Sequence, residues 1–180
     1  MNWDTSIFFW LNALVGHSAL FDQLILFTAF FLPYLVVFGF LLLLLLTRRE
    51  RREKMRIFAI VTLSVILARA LITEFIYMIF HRSRPYLTHE VNQLLSVNEW
   101  SFPSGHAAFF FAMGVALFFF HKKWGYWCLV LATIIAVSRV IAGIHYPSDI
   151  LAGALIGGVS AWTIHFLMKR LFVQKRPFSE

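Results

Sequence analysis

Charged residues and cysteine are both scarce in this sequence of 180 residues. Asp, Glu, Lys and Arg together make up 14% of it, whereas hydrophobic residues make up 60% and the mean hydropathy is +0.75. This composition excludes an ordinary soluble domain, because such domains carry about 25% charged residues. The single cysteine, Cys128, cannot form an internal disulfide, and its apolar neighbours predict a buried, unreactive thiol.

Recognisable cofactor motifs are missing as well. The sequence contains no CxxC or HExxH pattern and no GxGxxG fingerprint, so zinc and dinucleotide sites have no support. It also has no carboxylate cluster for another metal, no internal repeat and no low-complexity linker. We therefore expect one domain that uses neither a metal nor another cofactor.

Long apolar runs dominate what the sequence does contain. A helix crosses a bilayer core with roughly 20 apolar residues, and four stretches reach that length: 22–47, 57–80, 126–144 and 148–168. A fifth, at 104–120, is slightly short but almost wholly apolar. These runs predict an all-α, polytopic membrane helix bundle whose five transmembrane helices lie within 22–168. Gly153 and Gly157 form a small-residue pattern that predicts close helix packing.

Residues 1–21 are predicted to form an amphipathic helix in the membrane interface. The stretch Ile7–Phe21 is too short and too broken at 16–18 to cross, and Trp3 and Trp10 favour the interface. It lacks a basic segment and a small-residue cleavage site, so we expect no signal peptide. The alternative in which this stretch crosses as a sixth span stays open.

The distribution of basic residues predicts the orientation. Twelve of the 16 Lys and Arg fall on one side of a five-span bundle, at 48–56, at 122–123 and in a basic tail, 169–180. The positive-inside rule makes that side cytoplasmic. We interpret these clusters as topology signals and contacts with anionic membrane lipids, and we expect no nucleic-acid partner.

Three polar clusters lie at the opposite, outer ends of the predicted spans. They are Arg82-Ser-Arg84-Pro85, Pro103-Ser104-Gly105-His106, and Ser138-Arg139 followed by His145 and Asp149. Arginine suits a phosphate group, because its guanidinium stays charged and donates two hydrogen bonds to two phosphate oxygens. Arg84 and Arg139 are the predicted phosphate clamps, and Arg82 is a third.

The other two clusters add an anion cradle and reactive groups. Ser104 is a good N-cap for the third span, whose first N–H groups can face an anion, and Gly105 permits close backbone approach. A helix that begins just after His145 would let Asp149 reach one imidazole nitrogen, fix the tautomer and leave the other nitrogen free to attack phosphorus. His106 is placed to donate a proton to the departing oxygen.

In this order, the clusters resemble the motifs of the type-2 phosphatidic acid phosphatase superfamily. Its pattern is Lys, six residues and Arg-Pro; then Pro-Ser-Gly-His; then Ser-Arg, five residues, His, three residues and Asp. The second and third motifs match fully, and the matching region covers about 77–149. Within the superfamily the chain looks most like the bacterial undecaprenyl-diphosphate phosphatases.

The resemblance implies a metal-independent lipid phosphatase of the bacterial plasma membrane with its active site on the outer face. It implies that His145 attacks, that Asp149 orients it and that His106 protonates the leaving group. The phosphoryl group is then held by Arg84, Arg139, Ser104 and Gly105. The substrate would be a polyprenyl or phospholipid phosphate, and the expected reaction converts undecaprenyl diphosphate to undecaprenyl phosphate through a phosphohistidine.

The first motif departs from this pattern, because Tyr77 stands where the lysine is expected. Either Arg82 or His81 compensates, or Tyr77 itself donates a neutral hydrogen bond. Glu74, Tyr77 and His81 follow one helical face that is a candidate wall of the pocket. In the alternative, Glu74 balances the charge of Arg69.

Three other functions stay open at this point. The substrate can be phosphatidylglycerophosphate, phosphatidate or a lipid A phosphate, since all share the phosphoryl chemistry. A phosphotransferase would pass the phosphate from histidine to an alcohol. A channel or transporter would keep its activity after the substitution His145→Ala.

Overall fold

The computed structural model describes residues 2–173, with side chains up to Arg170. This part of the chain contains no strand, and its helices are α1 (Trp3–Asn12), α2 (Ala19–Leu46), α3 (Arg51–Ile79), α4 (Pro85–Thr88), α5 (Gly105–Phe120), α6 (Lys122–Ile141) and α7 (Pro147–Val173). The predicted all-α architecture is confirmed. Lys175 and Arg176, which belong to the predicted basic tail, lie outside the described residues.

Four of the helices are long and apolar enough to cross a membrane, namely α2, α3, α6 and α7. Helix α5 has 16 residues, or about 24 Å at 1.5 Å per residue. Several span boundaries differ from the prediction, and the second and fourth spans begin earlier, at Arg51 and Lys122. The first span begins at Ala19 because Ser18 caps it, and the fourth ends at Ile141 because Gly143 follows in a left-handed conformation.

Two of the long helices contain π-helical segments, which the sequence analysis did not anticipate. These are Phe27–Phe31 in α2 and Ile66–Thr73 in α3. Short π-helical segments inside α-helices are frequent at functional sites. In this bundle the first segment contains Ala29, whose carbonyl oxygen accepts a hydrogen bond from Arg139, and the second contains Arg69.

Helix α1 is fixed to the bundle through one buried face. Asp4, Phe8 and Asn12, spaced four residues apart, are all buried, whereas Trp3 and Trp10 are exposed. The observed helix is shorter than the predicted 1–21, and its ten residues cannot cross a core of about 30 Å. A turn separates it from α2, which excludes a sixth span over Ile7–Phe21 as a continuous helix.

Helices α5 and α7 pack backbone to backbone, as the small-residue pattern predicts. A Cβ atom on Gly153 would lie 2.5 Å from the Ser104 carbonyl oxygen, and one on Gly157 would lie 2.5 Å from that of Ala108. This close approach lets Ser104 N–H donate to the Asp149 carbonyl oxygen at 2.9 Å. The packing thereby joins the second polar cluster to the third.

The main apolar core lies at the other end of the bundle from these clusters. It includes Ile57 and Ile60 of α3, Met113 of α5 and Ile135 of α6, all at most 2% exposed. Cys128 is buried in this core as a free thiol, as predicted. Because this core is close-packed, it holds the helices that carry the polar side chains in fixed relative positions.

Candidate active site

His145 lies in the turn between α6 and α7. Gly143 ends α6 with φ of +85°, and a Cβ atom there would lie 3.2 Å from the Asn92 carbonyl oxygen. Glycine therefore serves both the left-handed turn and the close approach of the neighbouring loop. The turn directs His145 into the bundle, where its side chain is 1% exposed.

Both ring nitrogens of His145 have fixed neighbours. Nδ1 lies 3.0 Å from the Ser101 carbonyl oxygen, and Nε2 lies 3.2 Å from Arg84 Nη1. A carbonyl oxygen only accepts and a guanidinium only donates, so we assign the proton to Nδ1 and the lone pair to Nε2. Burial lowers the pKa of His145 well below its ordinary value, and the charge of Arg84 lowers it further. The imidazole is thus neutral, and its unprotonated Nε2 accepts a hydrogen bond from Arg84.

Asp149 lies beside the His145 ring, but the closest partner of Nδ1 is another group. Asp149 Oδ2 lies 3.5 Å from Nδ1, whereas the Ser101 carbonyl oxygen lies closer to Nδ1, at 3.0 Å, and accepts its hydrogen bond. The carboxylate accepts instead from Ser101 Oγ and from Tyr146 N–H. Asp149 therefore fixes the two segments that enclose the ring, because its Oδ2 accepts one hydrogen bond from each of them.

Arg84 is held almost entirely by main-chain oxygens. Its side chain is buried, and it donates to the carbonyl oxygens of Glu99 at 2.7 Å, Ile144 at 2.8 Å and Trp100 at 3.1 Å. Burial lowers the pKa of Arg84. The three carbonyl dipoles compensate the buried charge, and they hold the guanidinium of Arg84 in contact with His145.

Arg139 approaches from α6 and is also buried. Its Nη1 donates to the Ala29 carbonyl oxygen at 3.1 Å, whereas its buried Nε–H has no acceptor within residues 2–173. A buried donor without a partner costs free energy unless another group fills the space. An anion between Arg139 and Arg84 would satisfy it.

The Pro-Ser-Gly-His segment begins α5 as predicted. Ser104 is the N-cap, and its hydroxyl oxygen accepts from Ala107 N–H. The N–H groups of Gly105 and His106 have no acceptor among the residues that the structure describes. These two donors, at the positive end of a 16-residue helix, suit an anion.

His106 lies at one end of a cleft of about 200 Å³. The cleft is lined by Pro33, Tyr34, Val37, Arg69, Gly105, His106, Phe109 and Phe110. His106 is half-buried and lies close enough to Arg139, His145 and Arg84 for their charges to interact. The three motifs thus meet at one end of the bundle.

Arg82, the predicted third phosphate ligand, instead joins two carboxylates. It donates to Asp149 Oδ1 and to Asp4 Oδ2, both at 2.7 Å, and to Ser148 Oγ at 2.6 Å. Its guanidinium also lies over the Tyr146 ring. Because the two buried carboxylates hold this cation in place, its position fits a structural role.

Asp4 is a residue of this network that sequence reasoning missed. Its carboxylate also accepts from Ser148 N–H at 2.8 Å and from Ser148 Oγ at 2.6 Å. Burial raises the pKa of Asp4, but hydrogen bonds from Arg82 and Ser148 outweigh it and hold the pKa below the ordinary value. The only hint in the sequence is a carboxylate between Trp3 and an otherwise apolar helix face.

The candidate pocket wall of Glu74, Tyr77 and His81 is only partly brought together. The Tyr77 hydroxyl is buried and donates to the Pro103 carbonyl oxygen at 2.9 Å. Glu74 forms an ion pair with Arg69, which is the alternative that the sequence left open. His81 is exposed and packs against Trp100, because α3 ends at Ile79 and the helical face does not continue to residue 81.

The side chains that commonly bind metals are not grouped in the described part of the chain. There, no group of three or more His, Cys, Asp or Glu side chains is arranged to hold an ion. The cations that face the site are the guanidinium groups of arginines. The arrangement therefore offers an imidazole lone pair, fixed positive charges and free N–H donors.

Comparisons with known proteins identify the family of the chain. The PAP2 superfamily model matches residues 57–173. The chain is 32% identical over 166 residues to a Bacillus licheniformis protein described as "Bacitracin transport permease protein BcrC", covering 91% of this chain and 80% of that one. It is 28% identical over 182 residues to "Undecaprenyl-diphosphatase BcrC" of Bacillus subtilis, covering 99% and 88%.

Among solved structures, the fold is similar to the crystal structure of Aquifex aeolicus LpxE. The TM-score is 0.76 with 24% identity, and the match covers 92% of this chain and 96% of that one. The predicted resemblance is confirmed by the family match. The chain belongs to the PAP2 superfamily and is a membrane lipid phosphatase.

Proposed function

We propose that this protein hydrolyses undecaprenyl diphosphate to undecaprenyl phosphate at the outer face of a bacterial plasma membrane, through a phosphohistidine on His145. The observation that carries the proposal is the neutral imidazole whose Nε2 lone pair lies 3.2 Å from the buried guanidinium of Arg84. A nucleophile next to a fixed cation suits attack on an anionic phosphoryl group. The name of the B. subtilis relative supports this choice of substrate.

In the first chemical step Arg84 shifts its hydrogen bond from Nε2 of His145 to a phosphoryl oxygen, which frees the lone pair. The Nε2 lone pair of His145 forms a bond to the terminal phosphorus, while the bond from that phosphorus to the bridging oxygen breaks. The bridging oxygen keeps the bonding electrons and takes a proton from His106. Arg84, Arg139 and the two free N–H groups of the α5 N-terminus neutralise the transferred phosphoryl oxygens.

The second step returns the enzyme to its starting state. Water gives a proton to His106 and attacks the phosphohistidine, the P–N bond breaks, and its electrons return to Nε2. Inorganic phosphate leaves. Throughout both steps the Nδ1 proton stays on the ring, where the Ser101 carbonyl oxygen accepts its hydrogen bond and stabilises the positive charge that develops.

A lipid substrate also needs an apolar route to this centre. The cleft beside His106 combines Arg69 and Gly105 at its polar end with Pro33, Val37 and Phe109 along its wall. A head group at the polar end leaves the hydrocarbon tail against the apolar wall, as an amphiphile requires. This cleft opens between α2, α3 and α5.

The outer-face assignment rests on charge. With α5 counted as a fifth span, the basic segments at 48–56 and 122–123 share one side, and the site lies at the other. The positive-inside rule then gives the site an extracytoplasmic position. We assign Arg82, Asp4 and Asp149 to positioning rather than to phosphate binding, since their polar atoms are used within the protein.

Phosphate release in detergent tests the proposal. We expect the intact protein to release phosphate from undecaprenyl diphosphate faster than from phosphatidylglycerophosphate or phosphatidate, with EDTA present, and His145→Ala to lose nearly all of this activity. His17→Ala, which changes an exposed histidine, is the matched control. Release that requires a metal, or that survives His145→Ala, would contradict the mechanism. Transfer to an added alcohol in place of water would identify a phosphotransferase.

A further inference from the structure

The lysine position of the first motif is filled by a residue that cannot bind phosphate as a cation. Tyr77 is neutral, 6% exposed, and its hydroxyl hydrogen is donated to the Pro103 carbonyl oxygen. The sequence left Arg82 and His81 as substitutes. Arg82 is engaged with Asp4 and Asp149, and His81 is exposed. None of the three supplies a free cation to the cleft.

Arg69 supplies a cation at this place from two turns earlier in α3. Its guanidinium lies 5.9 Å from the centre of the Tyr77 ring, so the side chain extends to the level of the missing lysine. A Cβ atom on Gly105 would lie 2.5 Å from Arg69 Nε, which shows how closely the guanidinium approaches the start of α5. Arg69 also lines the cleft beside His106.

Two carboxylates hold Arg69 without using all of its donors. Nη1 is paired with Glu74 and Nη2 with Glu99, and both carboxylate side chains are about half exposed. None of the hydrogen bonds among residues 2–173 uses its Nε–H, which faces the Gly105 backbone. A guanidinium has five N–H donors. Arg69 can therefore donate a hydrogen bond to an anion in the cleft while it keeps its ion pairs with Glu74 and Glu99, or replace one of those pairs by the anion.

The side on which Arg69 lies decides what it would bind. It stands on the His106 side of the site, whereas Arg84 is in contact with His145. In the proposed reaction the phosphoryl group is transferred to His145 and the leaving oxygen departs towards His106. A cation beside His106 therefore faces the leaving group, not the group transferred.

We propose that Arg69 replaces the motif lysine and binds the second phosphate of a lipid diphosphate, making the enzyme selective for diphosphates over phosphate monoesters. The inference rests on the proposed function. When the bridging P–O bond breaks, its electrons pass to the oxygen of a lipid monophosphate, and Arg69 stabilises that negative charge. The leaving group of a monoester is an alcohol, which carries no phosphate for Arg69 to bind.

The test compares farnesyl diphosphate with farnesyl phosphate, which share one tail and differ by one phosphate. Wild type and Arg69→Gln are assayed for kcat/KM on both, with Arg49→Gln as a control, since Arg49 also pairs with a partly exposed glutamate. We expect Arg69→Gln to lower kcat/KM for the diphosphate at least about tenfold more than for the monophosphate, the range of a charge-assisted contact. Arg49→Gln should change neither.

The outcomes separate the two proposals. An equal loss on both substrates, or no loss, would overturn the role of Arg69 and leave the phosphatase mechanism intact. No phosphate release by the wild type from either substrate would overturn the proposed function. Where Arg69→Gln does not fold, Glu99→Gln removes one competing carboxylate instead. We expect it to lower KM for the diphosphate alone, and an unchanged KM would overturn the inference.

Discussion

The two imidazoles of the site have opposite surroundings. His145 is 1% exposed, and its nitrogens face the Ser101 carbonyl oxygen and the Arg84 guanidinium. His106 is half-buried, and its ring has no hydrogen-bond partner among residues 2–173. The difference teaches that the surroundings of His145, which is proposed to attack phosphorus, are preorganised by the fold. The surroundings of His106, which is proposed to meet the leaving group, are completed by the substrate.

The His145 half is stabilised by a chain of charges that begins at the N-terminus. Asp4 holds Arg82, Arg82 holds Asp149, and Asp149 accepts hydrogen bonds from the segments on either side of His145. Removing one member of such a network leaves another buried charge without its partner. On the His106 side, by contrast, the side chains of Arg69 and its glutamates are partly exposed.

Arg84→Lys should produce the largest change in this comparison. Lysine keeps the charge, but it lacks the planar fork that meets three carbonyl oxygens and Nε2 at once. We expect kcat to fall by about 10²- to 10³-fold with a smaller change in KM, the cost of losing one fixed donor to a transition state. Steady-state phosphate release measures it, with Arg49→Lys as control. A kcat within about threefold of wild type would show that the fixed fork is not needed.

Asp4→Asn should produce an intermediate effect at a distance from the imidazole. We expect a loss of about 1–3 kcal/mol in the free energy of unfolding, because Arg82 and Ser148 lose an ionised acceptor, and a fall in kcat as Asp149 loses support. The wild-type contribution is fully present above pH 3.8, the ordinary pKa, and is lost as the pH falls through the lower folded pKa.

Thermal unfolding in detergent at several pH values tests the Asp4 prediction. Asp4→Asn should lack the part of the acid destabilisation that wild type shows below about pH 4. Asp22→Asn is the matched control, since Asp22 also lies at a helix start and accepts from a backbone N–H. Identical kcat and identical pH profiles for wild type and Asp4→Asn would show that α1 does not support the His145 site.

Tyr77→Phe should have the smallest effect. The change removes one buried hydrogen bond to Pro103, so we expect the free energy of unfolding to fall by about 1 kcal/mol. Because the hydroxyl hydrogen is already donated to the main chain, kcat/KM should stay within about threefold for both farnesyl substrates. A tenfold or greater loss would instead assign the phosphate contact to Tyr77.

Much of this arrangement was predictable from local patterns. Apolar runs predict the long helices, and the N-cap at Ser104 and the packing of Gly153 follow from residue type alone. The motif spacing also predicts His145 and Arg84 as site residues, and the structure brings the two side chains into contact.

The rest depends on contacts between distant segments. Ser101 binds His145 through a carbonyl oxygen, which every residue has, so no side-chain pattern identifies it. Asp4 lies 78 residues from Arg82, and nothing local predicts that pairing. Arg69 lies eight residues from the motif position, within a π-helical segment that changes which side chains share a face.

Trapping the covalent intermediate tests the central claim most directly. Enzyme mixed with undecaprenyl diphosphate that carries a radiolabelled terminal phosphate is quenched with alkali within one turnover, digested, and analysed by mass spectrometry. The account predicts an acid-labile, alkali-stable phosphate on the peptide that contains His145, absent in His145→Ala. Label on any other residue, or single-turnover phosphate release with no labelled protein, would contradict it.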